Sequence, residues 1–317
     1  MKAIVQEAYG SPDVLRLKEI GKPAVKKNEV LVRVHAAALH AGDVYVMRGK
    51  PVAARTTVGL FKPKRNYIPG FDVAGEVKTV GTDVTKLQPG DEVFGTSSGA
   101  CVEYVCAAEN MFIQKPANLT FEQAAALPTS GVTALRALRD VGKVGSGQKI
   151  LINGASGGVG TFAVQIGKSL GAEITGVCST RNVDMVRSIG ADHVIDYTRE
   201  DFTRGGQRYD LILDNVASRS FTEYRRALTP RGALLPNSGH GGMRYIIDAM
   251  VRSIFVRQKV KLFVAIPKHE DLADLKELVE SGKVTPVIDR TYTLSEVPEA
   301  MRYLGEGHAR GKVVITL

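Results

Sequence analysis

The chain has 317 residues, 44% hydrophobic and 24% charged, with a net charge of +9. That length predicts two domains with ample core, and the composition is that of a soluble globular protein. Three cysteines exclude a disulfide framework, and no run approaches the ~20 apolar residues of a membrane-crossing helix.

The first residues, MKAIVQEAYG, lack both the apolar stretch of a signal peptide and the Arg/Ser-rich character of a transit peptide. With free thiols suited to a reducing compartment, a cytoplasmic location is expected. Short β-type runs follow at residues 2–7, 14–20, 30–37, 73–80, 91–94 and 102–106, separated by Gly, Pro and Asp as at Gln88-Pro89-Gly90-Asp91. They predict an all-β domain with little helix. Cys101 and Cys106, five apart on one predicted strand, point to opposite faces and share no metal. Between Arg48 and Tyr67 stand Arg48, Lys50, Arg55, Lys62, Lys64 and Arg65 with no acid.

From Phe121 strand and helix patterns alternate through Leu262, which predicts a parallel sheet with crossover helices. Its strands are expected at 150–153, 174–178, 193–197, 211–215 and 233–235. The central unit reads KILINGASGGVGTFAVQIGKSLGAEITGVCSTR, from Lys149 to Arg181. An apolar run, Lys149–Asn153, ends in the turn Gly154-Ala155-Ser156-Gly157-Gly158-Val159-Gly160. Val159, Phe162, Ala163, Ile166 and Leu170 then fall at helical spacing, and Glu173–Cys178 closes a βαβ unit.

A phosphate needs bare backbone N–H groups and the positive end of a helix dipole, and side chains would block its approach. The pattern G-x-G-x-x-G appears with Ala155 in its first place, then Gly157 and Gly160. Strand, turn, helix and second strand supply the context that turns a weak glycine pattern into a dinucleotide site. A ligand-free turn is the other reading. Where an NAD site places Asp or Glu for the ribose hydroxyl, this chain has Ser179-Thr180-Arg181-Asn182. Arg181 would pair with a 2′-phosphate and Ser179 would donate to it, so the expected cofactor is NADPH. A solvated residue at a helix start is the plainer account of Arg181.

A second basic region, from Met243 to Lys261, carries Arg244, Arg252, Arg257, Lys259 and Lys261 against Asp248. It reads as a solvated surface, with anionic substrates or a peripheral membrane contact as functional alternatives. Nucleic acid is excluded as a partner, since no binding motif accompanies the charge. Helices are expected at 271–280 and 295–304 and a closing strand at 312–316.

Four pieces stand in order along the chain: Pro69-Gly70-Phe71-Asp72-Val73-Ala74-Gly75-Glu76-Val77, Gly90-Asp91-Glu92-Val93, the glycine turn, and Ser188-Ile189-Gly190-Ala191-Asp192-His193-Val194-Ile195-Asp196-Tyr197. In this order they resemble the medium-chain dehydrogenase/reductase superfamily over essentially the whole chain. The resemblance implies a GroES-like β domain formed by residues 1–120 and 265–317. An α/β Rossmann domain, with a doubly wound parallel sheet, would occupy 121–264, and the substrate cleft would lie between the two.

Zinc alcohol dehydrogenases place Gly-His-Glu where this chain has Gly70-Phe71-Asp72, and their first cysteine ligand corresponds to His40. His40 and Asp72 alone do not make a closed metal site, so no metal is expected. The remainder is similar to the zinc-independent quinone oxidoreductase group, which includes zeta-crystallin and enone reductases. Its Asn-x-x-Asp-x-Tyr stretch appears as His40-Ala41-Gly42-Asp43-Val44-Tyr45, departing at His40.

The implied reaction moves a hydride from NADPH to a quinone or to the β-carbon of an α,β-unsaturated carbonyl. Negative charge then develops on oxygen, and a donor and a proton must meet it. Tyr45 is the first candidate and His40 a second donor or relay, each with a structural role as the alternative. Thr133 and Asn215 face the cofactor by family position, and Tyr197 borders the adenosine phosphate or packs on the sheet. His35, His193, His240, His269 and His308 are scattered and receive no role. The basic segment from Pro51 to Tyr67 is expected to act as a mobile lid favouring anionic substrates. An alcohol dehydrogenase and a non-catalytic NADPH-binding protein stay open as other functions, and a homodimer is what the resemblance implies.

Overall fold

The computed structural model describes residues 1–52, 55–238 and 242–317. Two units emerge: Met1–Val132 with Ile266–Ser281 and Pro286–Leu317, and Thr133–Ala265 with Gly282–Thr285.

The first unit opens with an antiparallel pair, β1 (Lys2–Gln6) on β2 (Leu15–Glu19). β3 (Glu29–Leu39) buries Val30, Val32 and Val34 on alternate positions, the period of two that gives a strand one apolar face. The helix α1 (Ala41–Arg48) follows, then α2 (Arg55–Val58), before β4 (Asp72–Val80), β5 (Glu92–Thr96), β6 (Tyr104–Ala108) and β7 (Phe112–Gln114). Neither helix was expected on sequence. Cys101 does not share a strand with Cys106: it lies in a bend before β6, fully buried, and its N–H donates to the Pro69 carbonyl at 3.0 Å.

Thr120 caps the short helix α3 (Phe121–Ala125) by accepting from the Gln123 N–H at 3.3 Å. Residues 121–132 group with the first unit, whereas the sequence boundary falls at 120. α3 packs on β3, β4, β5 and the closing strand Lys312–Thr316, and the Phe121 ring stacks on His35 of β3 at 4.3 Å between centroids.

α4 (Pro128–Leu135) and a π-helical segment, Arg136–Gly142, lead into the second unit. Here β8 (Lys149–Asn153), α5 (Gly158–Ser169), β9 (Glu173–Cys178), α6 (Val183–Ser188), β10 (His193–Asp196), β11 (Tyr209–Asp214), α7 (Phe221–Ala227), β12 (Leu228–Pro236), α8 (Gly242–Ile254) and β13 (Lys259–Val260) alternate. The strands form one parallel sheet in the order β10-β9-β8-β11-β12-β13. Its centre buries Ile150, Leu151, Ile152, Ile212 and Leu213, near-continuous apolar runs because helices cover both faces. The carboxyl ends of β8 and β11 meet there, which is where ligands gather in open α/β sheets.

The chain then returns to the first unit as α9 (His269–Glu280), β14 (Ile288–Thr293), α10 (Val297–Gly305) and β15 (Lys312–Thr316). Gly282–Thr285 stays with the second unit, where Gln165 bridges the Thr285 N–H and carbonyl at 2.8 and 2.9 Å. β15 pairs antiparallel with β3 and completes a seven-stranded sheet, β14-β15-β3-β4-β5-β7 with β6 also on β3. Among the described residues no helix is long and apolar enough to cross a membrane.

Candidate active site

The turn after β8 is built by close backbone approach. Gly154 holds φ at +77°, a left-handed value that glycine adopts without strain. The Gly154 and Ala155 N–H groups both donate to the Val177 carbonyl, at 3.1 and 3.0 Å, tying the turn to β9. A Cβ on Gly160 would stand 2.1 Å from the Gly154 carbonyl oxygen, so α5 closes on the turn only because that side chain is missing. Gly157 differs: a Cβ there would meet only the Gly154 oxygen, at 3.5 Å. The protein leaves room beside the Gly157 Cα, at the amino end of α5, the kind of place where a phosphate would be received.

Asn182, which the sequence reading passed over, organises the neighbouring edge. It is 4% exposed, and its Nδ2 donates to Ser156 Oγ at 3.0 Å and Ser179 Oγ at 3.2 Å. The glycine turn and the Ser179–Arg181 stretch are therefore brought together by one buried amide. Arg181 is exposed within the 3₁₀ turn Thr180–Asn182. A carboxylate does stand nearby, supplied by β10 rather than β9. Asp196 accepts from Thr180 Oγ1 at 2.5 Å and from Thr198 Oγ1 at 2.7 Å. The Thr180 hydroxyl holds its pKa below the ordinary range. Tyr197 follows it, 54% exposed.

Asn215 sits just beyond β11 and donates to the Asn153 carbonyl at 3.1 Å while accepting from Asn237 at 2.7 Å. Beneath it lies a polar network with no sequence signal. Asp214, fully buried, accepts from Asn153 Nδ2 at 2.9 Å, Tyr245 Oη at 2.8 Å and the Val216 and Ala217 N–H groups. Burial, then the Asp214 charge, drives the Tyr224 and Tyr245 hydroxyls well above the usual phenol range. Both therefore stay protonated, Tyr245 donating to Asp214 and Tyr224 accepting from Asn153 Nδ2 at 3.2 Å. Thr133 is nearly buried within α4.

In the first unit, His40 and Tyr45 are placed by α1. Asp43 Oδ2 accepts from the His40 backbone N–H at 2.8 Å and lies 3.5 Å from His40 Nδ1. Asp43 is 2% exposed and among the described residues its Oδ1 has no hydrogen-bond partner, and desolvation raises its pKa against the lowering effect of His40. Burial likewise raises Tyr45, and raises Tyr67 beyond the usual phenol range with Asp43 adding to it. The His40 ring stacks on Phe71 at 5.9 Å with planes 11° apart. Asp72 is engaged elsewhere: Lys312 Nζ donates to Oδ2 at 3.1 Å, and the Thr129 N–H and hydroxyl donate to Oδ1 at 3.0 and 2.5 Å. Among the described residues no three His, Cys, Asp or Glu side chains gather as for a metal ion.

Three sequence expectations fall partly on undescribed residues. Ala53 and Ala54 of the basic segment, His240, and the side chains of Met243 and Arg244 lie outside the described residues.

A GroES-like β unit with a parallel-sheet dinucleotide unit inserted into it is the architecture of medium-chain dehydrogenases and reductases. Residues 26–135 match the alcohol dehydrogenase GroES-like domain and residues 189–315 the zinc-binding dehydrogenase family. The chain is 36% identical to the mitochondrial NAD(P)H oxidoreductase RTN4IP1 of Mus musculus, covering 100% of this chain and 89% of that one. It is 32% identical to the chloroplastic quinone-oxidoreductase QR1 of Triphysaria versicolor, over 99% and 98% of the two chains. The structure of the quinone oxidoreductase from Coxiella burnetii superposes with a TM-score of 0.89 at 33% identity, covering 100% and 99%. The chain belongs to the medium-chain dehydrogenase/reductase superfamily, and its relatives there include quinone oxidoreductases.

Proposed function

We propose that the protein is an NADPH-dependent reductase of quinones or α,β-unsaturated carbonyls that works without zinc. The observation that carries the cofactor choice is the cradle around Gly157, joined through Asn182 to Ser179 and the stretch bearing Arg181. Bare N–H groups would take the pyrophosphate, and a guanidinium with a hydroxyl would take the 2′-phosphate. When bound, the reduced nicotinamide supplies the hydride.

Tyr45 donates a hydrogen bond to the substrate oxygen as negative charge builds there, and its proton completes the reduction. That phenol is protonated at neutral pH, as a donor must be, and burial raises its pKa further. His40, held by Asp43 and Phe71, relays the replacement proton. Asp72 supports the zinc-free reading because Lys312 and Thr129 occupy both its oxygens. The names of the relatives support the substrate class. A homodimer in the cytoplasm completes the reading, to be checked by sedimentation and cell fractionation.

Steady-state oxidation of NADPH against a panel of quinones, enones and simple alcohols, with metal analysis of the purified protein, tests this function. Turnover of quinones or enones without stoichiometric zinc is the expected result. Tightly bound zinc with alcohol oxidation, or NADPH binding without turnover, would replace it.

A further inference from the structure

The second unit carries a basic cavity at the end of its sheet remote from the glycine turn. The cavity measures about 700 Å³, within the range of small-molecule sites, and is lined by Gln148, Asp210, Thr229, Arg231, Arg257 and Lys259 among others. Gln148 directly precedes β8, whereas the glycine turn follows it, so the two sites lie at opposite ends of one strand.

A break in the β-ladder makes the opening. Tyr209 pairs with Leu228 and Leu211 with Ala233, so Asp210 alone stands against residues 229–232 of β12. Bulges of this kind redirect side chains, and this one puts Arg231 on the rim. Arg257 arrives from the connection between α8 and β13, and Lys259 opens β13 itself. Among the described residues none of these three cations has a hydrogen-bond or ion-pair partner. Lys261 is already committed, donating to the Val141 carbonyl at 2.8 Å. Among the described residues the wall holds one acid, and it does not answer the charge. Asp210 accepts from the Lys149 N–H at 3.0 Å and the Thr229 hydroxyl at 3.3 Å, and among the described residues it reaches no cation. Leu211, Ala233 and Val256 give the cavity an apolar side.

We propose that this cavity binds a small polyanion carrying two or more phosphoryl groups, held by Arg231, Arg257 and Lys259. Like-charged groups gathered around one concavity repel one another until an anion arrives, and a concave wall concentrates that field. Two guanidinium forks recognise phosphoryl oxygens in pairs, which a diffuse solvated surface does not require.

Inorganic tripolyphosphate is the probe, titrated calorimetrically into the full chain at low ionic strength. With saturating NADPH present to fill the glycine turn, one saturable site is expected, weakening steeply as salt rises to about 0.5 M. Substituting Arg231→Ala, Arg257→Ala and Lys259→Ala together should weaken binding by more than about tenfold, since each exposed contact contributes up to about fivefold. All three side chains are exposed, so the melting temperature without probe should hold. Arg181→Ala should leave tripolyphosphate binding within about twofold, the two sites being far apart. Absence of saturable binding, an unchanged affinity in the triple variant, or an equal loss in Arg181→Ala would each overturn the proposal.

Discussion

Lys312 Nζ lies 3.1 Å from Asp72 Oδ2, with the two side chains 1% and 0% exposed. β15 and β4 flank β3, so a residue five from the chain's end reaches the start of the strand that follows the Pro69-Gly70-Phe71 stretch. Ser130 accepts from the same ammonium at 3.2 Å, leaving the pair hydrogen-bonded and dry. Such a pair adds little net stability, because desolving both charges opposes their attraction, yet removing one partner strands the other. Lys312→Met should therefore lower the unfolding free energy by about 3–5 kcal/mol. Adding Asp72→Asn should restore most of it. Urea unfolding of the two variants reads both effects.

Two glycine substitutions separate folding from cofactor binding. Gly160→Ala forces a methyl onto the Gly154 carbonyl and should destabilise the fold by about 1–3 kcal/mol. Gly157→Ala finds room inside the protein, so stability should change by less than about 0.5 kcal/mol. Its loss should appear as NADPH affinity, measured by fluorescence titration, because the methyl occupies the space a phosphate would take.

Arg181→Ala should raise the KM for NADPH about 10–100-fold, the value of charge-assisted hydrogen bonds to one phosphate. The KM for NADH should move by less than about twofold, since that cofactor lacks the group Arg181 would hold. Equal losses would assign the residue to the solvated surface.

Tyr45→Phe should reduce kcat about 10²-fold or more while leaving NADPH affinity unchanged. With the phenol's pKa raised by burial, the wild-type rate should show no falling limb from this group below its ordinary value near 10.0.

Asp43 should leave a pH signature on stability. Its folded pKa is raised above the ordinary 3.8, so the native state binds the proton more tightly than the unfolded chain. That contribution is complete below 3.8 and disappears as pH rises through the folded pKa. Asp43→Asn should therefore gain stability relative to wild type as pH climbs from about 4 toward neutrality. Parallel melts at several pH values check it, and a constant gap would show Asp43 to be unperturbed.

Much of the architecture was legible because its signals are local. The strand, glycine turn, helix and second strand of residues 149–178 lie within one short stretch, and the closing strand at 312–316 stood out by its apolar run. β14 escaped because Ile288–Thr293 mixes Asp, Arg and Thr with few apolar positions and is largely unburied. α1 escaped because its buried face rests on only Asp43, Val44 and Met47, too short a stripe for periodicity to reveal.

By itself the sequence determined the βαβ order, the glycine turn with Gly154, Gly157 and Gly160, and the basic residue after β9, all consequences of neighbours in the chain. Only the tertiary structure decided that Asp72 answers Lys312 across 240 residues, that Asn182 ties Ser156 to Ser179, and that Arg231 meets Arg257 and Lys259. Those pairings arise from strand order and burial, and neither quantity is carried by any short run of residues.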